Sequence, residues 1–374
     1  MPKGTPPRYH ADVKRLLAVL LGILAVLGGV LWMAWRPSRD LVEDLASPDP
    51  DVVVAAARRV WVDTLAGVDV GPDLARGLKH PSARVRSRCL RTLARLGRSA
   101  YVDDVVALLQ DPDESVRIQA ALALRELRSW KDPAPLIRVL LDERQGERIR
   151  VDVAWSLGER RHPAAEEPLA RVAADPTQPP RVRQEALEAL GALGAVQRVA
   201  LLRKVLEAPA ESRRVRRAAA KGLGQLRVPE SRQALEDTLE RRGDDELVRA
   251  QAARSLGCQR EPAEIPRLRA HAEDPAEAVA VRLGAAQALH ELGGPVEGLV
   301  DLVRRGLEDD NRMVRLEAAC LADEVADPAL VPALEAAAAR EPECGADCIF
   351  NDALRKLRKD AAVDPDAALE TSER

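Results

Sequence analysis

RVRQEALEALGALG (181–194) reads as one amphipathic helix with an arginine near its start. RVRRAAAKGLGQL (214–226) says almost the same thing 33 residues downstream, and LVRAQAARSLG (247–257) says it again after another 33. Aligning on the Val-Arg or Ile-Arg pair gives Arg86, Arg117, Arg150, Arg183, Arg216, Arg249, Arg282 and Arg315, one step of 31 followed by six of 33. A fixed period of this size marks an array of stacked supersecondary units. Three residues after the arginines stand Cys89, Ala120, Val153, Ala186, Ala219, Ala252, Ala285 and Ala318. Seven after stand Leu93, Leu124, Leu157, Leu190, Leu223, Leu256 and Leu289, with Ala322 breaking the series. Offsets of −1, +3, +4 and +7 share one side of an α-helix, so this stripe predicts a buried face. Its small residues let a neighbouring helix come close.

A second helix runs upstream of each of these, as in YVDDVVALLQ (101–110), APLIRVLL (134–141), QRVALLRKVLE (197–207) and VEGLVDLVRRGLE (296–308). Short turns such as DPDES (111–115), DPTQPP (175–180) and DPAEA (274–278) join the two, with Asp, Ser and Pro where helix starts need them. Each unit is a helix hairpin that cannot bury its apolar face alone, and stacking buries it. A degenerate earlier unit fits SPDPDVVVAAARRVWVDTL (47–65), with Val54 at the arginine position. The expectation is an all-α chain of about nine hairpins over 40–359, followed by a disordered tail over 360–374.

LLQDPDESVRIQAALAL (108–124) resembles the HEAT repeat, and the short period resembles the HEAT-like units of the phycobilisome-lyase type. The resemblance implies a right-handed α-solenoid with the second helices on the concave side. It also implies an interaction scaffold with no activity of its own. An acid lies five to nine residues before most of the arginines: Asp111, Asp142, Asp175, Glu207, Asp244, Asp274 and Asp309, with His80 at the comparable place before Arg86. Asp and Arg are expected to meet across the turn, and in HEAT proteins such residues resemble a hydrogen-bonded ladder. The eight arginines therefore read as a structural ladder, the alternative being a row that binds an anionic partner.

Composition narrows the classes. Aromatic residues make up 2% and charged residues 31%, so the core must come from Leu, Val and Ala. The formal net charge of −3 gives no global attraction for nucleic acid. The excess of arginine over lysine points to a GC-rich coding genome, and five cysteines are too few for a disulfide scaffold.

LLAVLLGILAVLGGVLWMAW (16–35) is a twenty-residue run without a charge, about 30 Å long as a helix and ending in Trp32 and Trp35. Its length and the missing cleavage site favour an uncleaved signal anchor over a signal peptide. The basic stretch 1–15 then stays in the cytoplasm, which predicts a bacterial inner-membrane, single-pass protein with its repeats on the periplasmic side. Ala18, Gly22, Ala25 and Gly29 form a small-residue ridge, either a homodimer face or the ordinary composition of a membrane helix.

No catalytic constellation emerges. HEAT-like deoxyhypusine hydroxylase carries His-Glu pairs just after the arginine, whereas here those positions hold no histidine, and His290-Glu291 stands alone at +8. His10, His80, His162 and His271 are isolated in sequence. No cofactor, metal, small-molecule substrate or nucleic acid is therefore expected. Five residues after the arginines the array varies: Arg91, Leu122, Trp155, Glu188, Lys221, Arg254 and Gln287, then Cys320. This mixed column argues against a nucleic-acid groove and is the candidate surface for a protein partner. Trp155 is either an interface anchor or a gap filler. Cys344 and Cys348 in ECGADCIF (343–350) are either bridged or free thiols. The reading is a membrane-anchored protein-interaction scaffold, with a HEAT-like hydroxylase or lyase-like accessory as the alternative.

Overall fold

The periodic stripes become helices, and no strand occurs among the described residues of the computed structural model. The structure describes residues 41–47, 69–127, 130–341 and 348–363, together with Val52, Ala56, Arg59 and Val60. They divide into two compact units at Leu127/Arg128, where the period predicts one array over 40–359. The first unit holds α1 (Leu41–Ala46), α2 (Gly71–Gly77), α3 (Ala83–Arg95), α4 (Val102–Ala107) and α5 (Glu114–Leu127). Most of the degenerate repeat 47–65, including Val54, lies outside the described residues.

In the second unit the hairpins are α6 (Ala134–Leu141) with α7 (Glu147–Glu159), α8 (Glu166–Ala174) with α9 (Pro180–Leu193), and α10 (Val199–Glu207) with α11 (Arg213–Leu226). They continue as α12 (Pro229–Glu240) with α13 (Glu246–Cys258), α14 (Ile265–Glu273) with α15 (Val279–Glu291), and α16 (Leu299–Glu308) with α17 (Arg312–Val325). α18 (Val331–Ala339) and α19 (Ile349–Val363) follow, so a helix enters the stretch expected to be a disordered tail. Residues 364–374 lie outside the described residues.

Helix starts follow local chemistry. The Ser212 hydroxyl accepts from the Val215 N–H, the Asp245 carboxylate from Leu247 and Val248, and the Asn311 amide oxygen from Met313. These bonds satisfy backbone donors that the first turn leaves without a partner. The stripe is the core: Val182, Ala186, Leu187 and Leu190 on α9 are fully buried, as are their counterparts Val248, Ala252, Ala253 and Leu256 on α13. Each buried Val or Leu stabilises the fold by about 1.5–3 kcal/mol over its exposed state.

From α7 to α15 the second helices pack on one another more closely than the first helices do. A glycine eight residues after the arginine makes this possible. A Cβ added at Gly158 would lie 2.6 Å from the Ala189 Cα, one at Gly191 would lie 2.6 Å from the Gly222 Cα, and one at Gly257 would lie 2.7 Å from the Ala288 Cα. These are backbone contacts, so a larger side chain would have to push whole helices apart. We term the side formed by these second helices the inner side of the stack.

The membrane expectation is corrected. No helix among the described residues is long and apolar enough to cross a membrane. Residues 16–35, on which the anchor rested, and the ridge Ala18, Gly22, Ala25 and Gly29 lie outside the described residues. The inner-membrane localisation, the periplasmic side and the anchor-mediated dimer are not carried forward.

Gly191→Val is expected to cost about 2–3 kcal/mol by overpacking the α9–α11 contact. Urea unfolding measures it, and an unchanged midpoint would show that the backbones are not in direct contact.

Candidate functional site

The arginines sit where the second helix of each hairpin begins, and from α7 onward they follow one plan. The Nε of Arg150, Arg183, Arg216, Arg249 and Arg282 donates to the carbonyl ten residues earlier, on Leu140, Ala173, Leu206, Leu239 and Ala272. Those carbonyls belong to the last turn of the first helix, where backbone acceptors have no intrahelical donor. The remaining guanidinium nitrogens reach the next hairpin. Arg183 holds both carboxylate oxygens of Glu211 at 2.8 and 2.6 Å, Arg216 holds Asp244 at 2.7 and 2.5 Å, and Arg249 holds Glu277 at 2.9 and 2.8 Å. Arg150 meets an amide instead, at 2.5 Å from Gln178 Oε1.

The two ends vary the plan. In the first unit Arg86 grips Asp111 at 2.8 and 2.7 Å and donates to the carbonyls of His80 and Pro81, while Arg117 donates to those of Asp111 and Pro112. Arg315 donates to the carbonyls of Asp309 and Asp310 and to the carboxylate of Glu341. Arg282 meets no carboxylate among the described residues. Asp310 has the register of a partner but is exposed and bonded to Arg340.

The acids expected to serve the arginine of their own hairpin do something else. Asp111 and Asp244 accept from the preceding hairpin's arginine. Asp142, Asp175, Asp274 and Asp309 turn back on their own loops, accepting backbone N–H groups two residues on. Glu207 pairs with Arg203. The sequence signal for the true acceptors is the position five before each arginine: Gln178, Glu211, Asp244 and Glu277.

The variable column lies on the second helices. In the second unit Trp155, Glu188, Arg254 and Gln287 are half-buried and Lys221 is exposed; in the first, Arg91 is exposed and Leu122 half-buried. Lys221 Nζ lies 2.5 Å from Glu188 Oε2, and Gln287 donates to Glu324 at 2.9 Å. Arg254 donates at 2.9 Å to Glu317, which also accepts from Arg217 at 2.8 Å. These side chains thus engage one another across the repeats rather than standing apart.

HEAT repeats match over residues 71–151, 144–214 and 208–289. The chain belongs to the HEAT-repeat family. Among solved structures, this HEAT chain is similar to the complex of CpcE and CpcF of phycocyanin lyase from Nostoc sp. PCC7120, at 27% identity over 59% of this chain and 87% of that one, with a TM-score of 0.40. It is also similar to human deoxyhypusine hydroxylase, at 21% identity over 69% of this chain and 96% of that one, TM-score 0.32. Yeast importin-β (Kap95p) is similar at 12% identity over 85% of this chain and 51% of that one, TM-score 0.46. No curated protein matches in sequence.

Other side chains of the HEAT array carry the remaining chemistry. No group of three or more His, Cys, Asp or Glu among the described residues could hold a metal ion. His290 is exposed, and burial raises the carboxyl of its neighbour Glu291 above the usual range. His271 is isolated in sequence but not in space: it is buried, with Nδ1 3.2 Å from Glu277 and Nε2 3.5 Å from Glu240. Burial pushes the Cys89 thiol up to about 12. Cys258 and Cys320 are free, Cys348 is disulfide-bonded, and Cys344 lies outside the described residues.

Hydrogen bonds from Arg183 and Arg249 hold Glu211 and Glu277 below the usual carboxylate range, and the Thr177 hydroxyl helps bring Asp175 to about 2. A carboxyl whose pKa is lower folded than unfolded adds stability above its unfolded pKa and loses it as pH falls through the folded one. Stability in urea is therefore expected to be level above about pH 5 and to fall from there toward about pH 2. A flat profile across that window would refute it. Arg249→Ala is expected to cost about 3 kcal/mol by removing the bidentate partner of buried Glu277, which keeps only His271 and the more distant Arg242, and adding Glu277→Gln should recover part of that loss. A double-mutant cycle with no coupling would contradict this pairing.

Proposed function

We propose that this HEAT chain is a protein-interaction scaffold whose partner lies along the inner face of the second helices. The observation that carries the reading is the contrast between two kinds of column on one set of helices. The stripe and the arginine positions repeat, whereas Trp155, Glu188, Lys221, Arg254 and Gln287 differ from hairpin to hairpin on the inner side. A frame that repeats and a surface that does not can distinguish one partner from another along its length. Trp155 supplies the largest apolar side chain of that column, with Val151 one turn before it, and aromatic anchors often dominate binding energy. In the first unit Arg91 and Leu122 hold the equivalent positions.

The eight arginines are structural in this reading: Arg86, Arg150, Arg183, Arg216, Arg249 and Arg315 reach the next hairpin, and Arg117 and Arg282 hold carbonyls of their own. A guanidinium already holding a carbonyl and a carboxylate has few donors left for an anionic partner. We infer Cys344 as the disulfide partner of Cys348, because Cys89, Cys258 and Cys320 are free; peptide mapping without reductant is expected to recover the two joined, and alkylation of Cys344 under those conditions would count against it.

Photo-crosslinking in cells tests the surface. A benzophenone side chain at Lys221 or Trp155 is expected to give discrete adducts that are absent when it replaces exposed Ala200 on α10. Adducts from Ala200 alone would move the partner off the inner face.

A further inference from the structure

The array is interrupted between α15 and α16. Residues 292–298 (LGGPVEG) contain no buried residue, and Gly293 and Gly298 have φ of +72° and +65°. Elsewhere in the second unit, the links from a second helix to the next hairpin are two residues long, as at 227–228, or tightened by a 3-10 turn, as at 163–165, 196–198, 262–264 and 328–330. The arginine bonds lapse at the same place, because Arg282 reaches its own Ala272 carbonyl but no carboxylate on the next hairpin. α17 also packs far more loosely on α15 than α13 does. Three kinds of contact that join the other hairpins are weakened at one junction.

Besides the exposed Gln287–Glu324 hydrogen bond, one buried side-chain interaction spans it. The carboxylate of Glu317 on α17, 92% removed from solvent, accepts from Arg217 on α11 at 2.8 Å and from Arg254 on α13 at 2.9 Å. These bonds pass over α15, which presents Gly284 at the position equivalent to Glu317 and so has no side chain there to intervene. A Cβ at Gly284 would collide with the Ala250 carbonyl, so α15 also lies tight against α13. Burial lowers the pKa of Arg217, yet Glu317 counters this by favouring its charged form.

We propose that residues 292–298 are a hinge and that Glu317, held by Arg217 and Arg254, is the latch that keeps it closed. The hinge divides the second unit into α6–α15 and the helices from α16 onward. With the latch made, α17 covers Arg217 and Arg254 at the inner face. With it broken, those two guanidiniums are left without their shared carboxylate and the hairpin is free to swing about the two glycines. Cooperative opening of a locally under-connected segment is a general property of folded chains, and ligands act on it by favouring one state. The device stands on intramolecular geometry and does not require the partner surface proposed above.

Spin labels on p-acetylphenylalanine at Gln225 on α11 and Arg305 on α16, both exposed, read the hinge in the full chain by double electron–electron resonance. The unaltered latch is expected to give one narrow distance distribution. Glu317→Gln should lengthen the mean by several ångströms and broaden it, with the helical circular dichroism intact. Arg217→Gln, which leaves Arg254 on Glu317, should give a smaller change in the same direction and serves if Glu317→Gln does not fold. Distributions unchanged in the folded variants would overturn the proposal.

Discussion

A guanidinium offers five N–H donors in one rigid plane, and the HEAT array depends on where that plane is placed. At Arg249 one edge closes the α12 helix on the Leu239 carbonyl, while the other grips both oxygens of Glu277 on the next hairpin. A single side chain thus sets the turn within a hairpin and the spacing to its neighbour. Buried charge is tolerable only when paired and hydrogen-bonded, so each arginine constrains the residue that must face it. Lysine, a point charge on a flexible stem, cannot make the two-sided contact. This gives the arginine excess a physical reason in the fold, beyond any bias of coding composition.

The same logic extends to the surface. Arg203 with Asp237 joins successive first helices, Arg198 with Glu166 and Arg232 with Glu261 tie a first helix to a neighbouring link, and Lys221 with Glu188 joins second helices. Individually such exposed pairs are worth about 0–1 kcal/mol. Collectively they account for a chain that is 31% charged yet carries a net charge of only −3. The glycines at Gly158, Gly191 and Gly257 act on the geometry, letting successive second helices approach to backbone contact.

Much of this was legible because helical burial is periodic. Val182, Ala186 and Leu190 could be placed in the core from their offsets alone, and they are fully buried. The ladder was legible in its donors but not in its acceptors. Asp175 lies close to Arg183 in sequence, yet the Ala173 carbonyl fills the near side of that arginine and Glu211 approaches from the next hairpin. Proximity in sequence misassigned the pair because the competing acceptor was backbone, which carries no letter. His271 was missed for a similar reason: Glu240 reaches it only after α12 and α14 stack, and Glu277 only after the turn of its own hairpin folds back. The apolar run at 16–35 lies outside the described residues, among which no helix is long and apolar enough to cross a membrane, so its implied localisation is not carried forward.

The sequence by itself determined the repeat unit, its two helices, the buried stripe and the identity of the bridging arginines. All of these follow from periodicity within one hairpin, and local spacing along a helix is set by a fixed rise and turn. Only the tertiary structure decided which carboxylate each arginine takes, where the array divides at Leu127/Arg128, and that Glu317 lies against Arg217 a hundred residues away. Those depend on small rotations accumulated from one hairpin to the next. A rotation of that kind is summed over many packed contacts and is written at no single position of the chain.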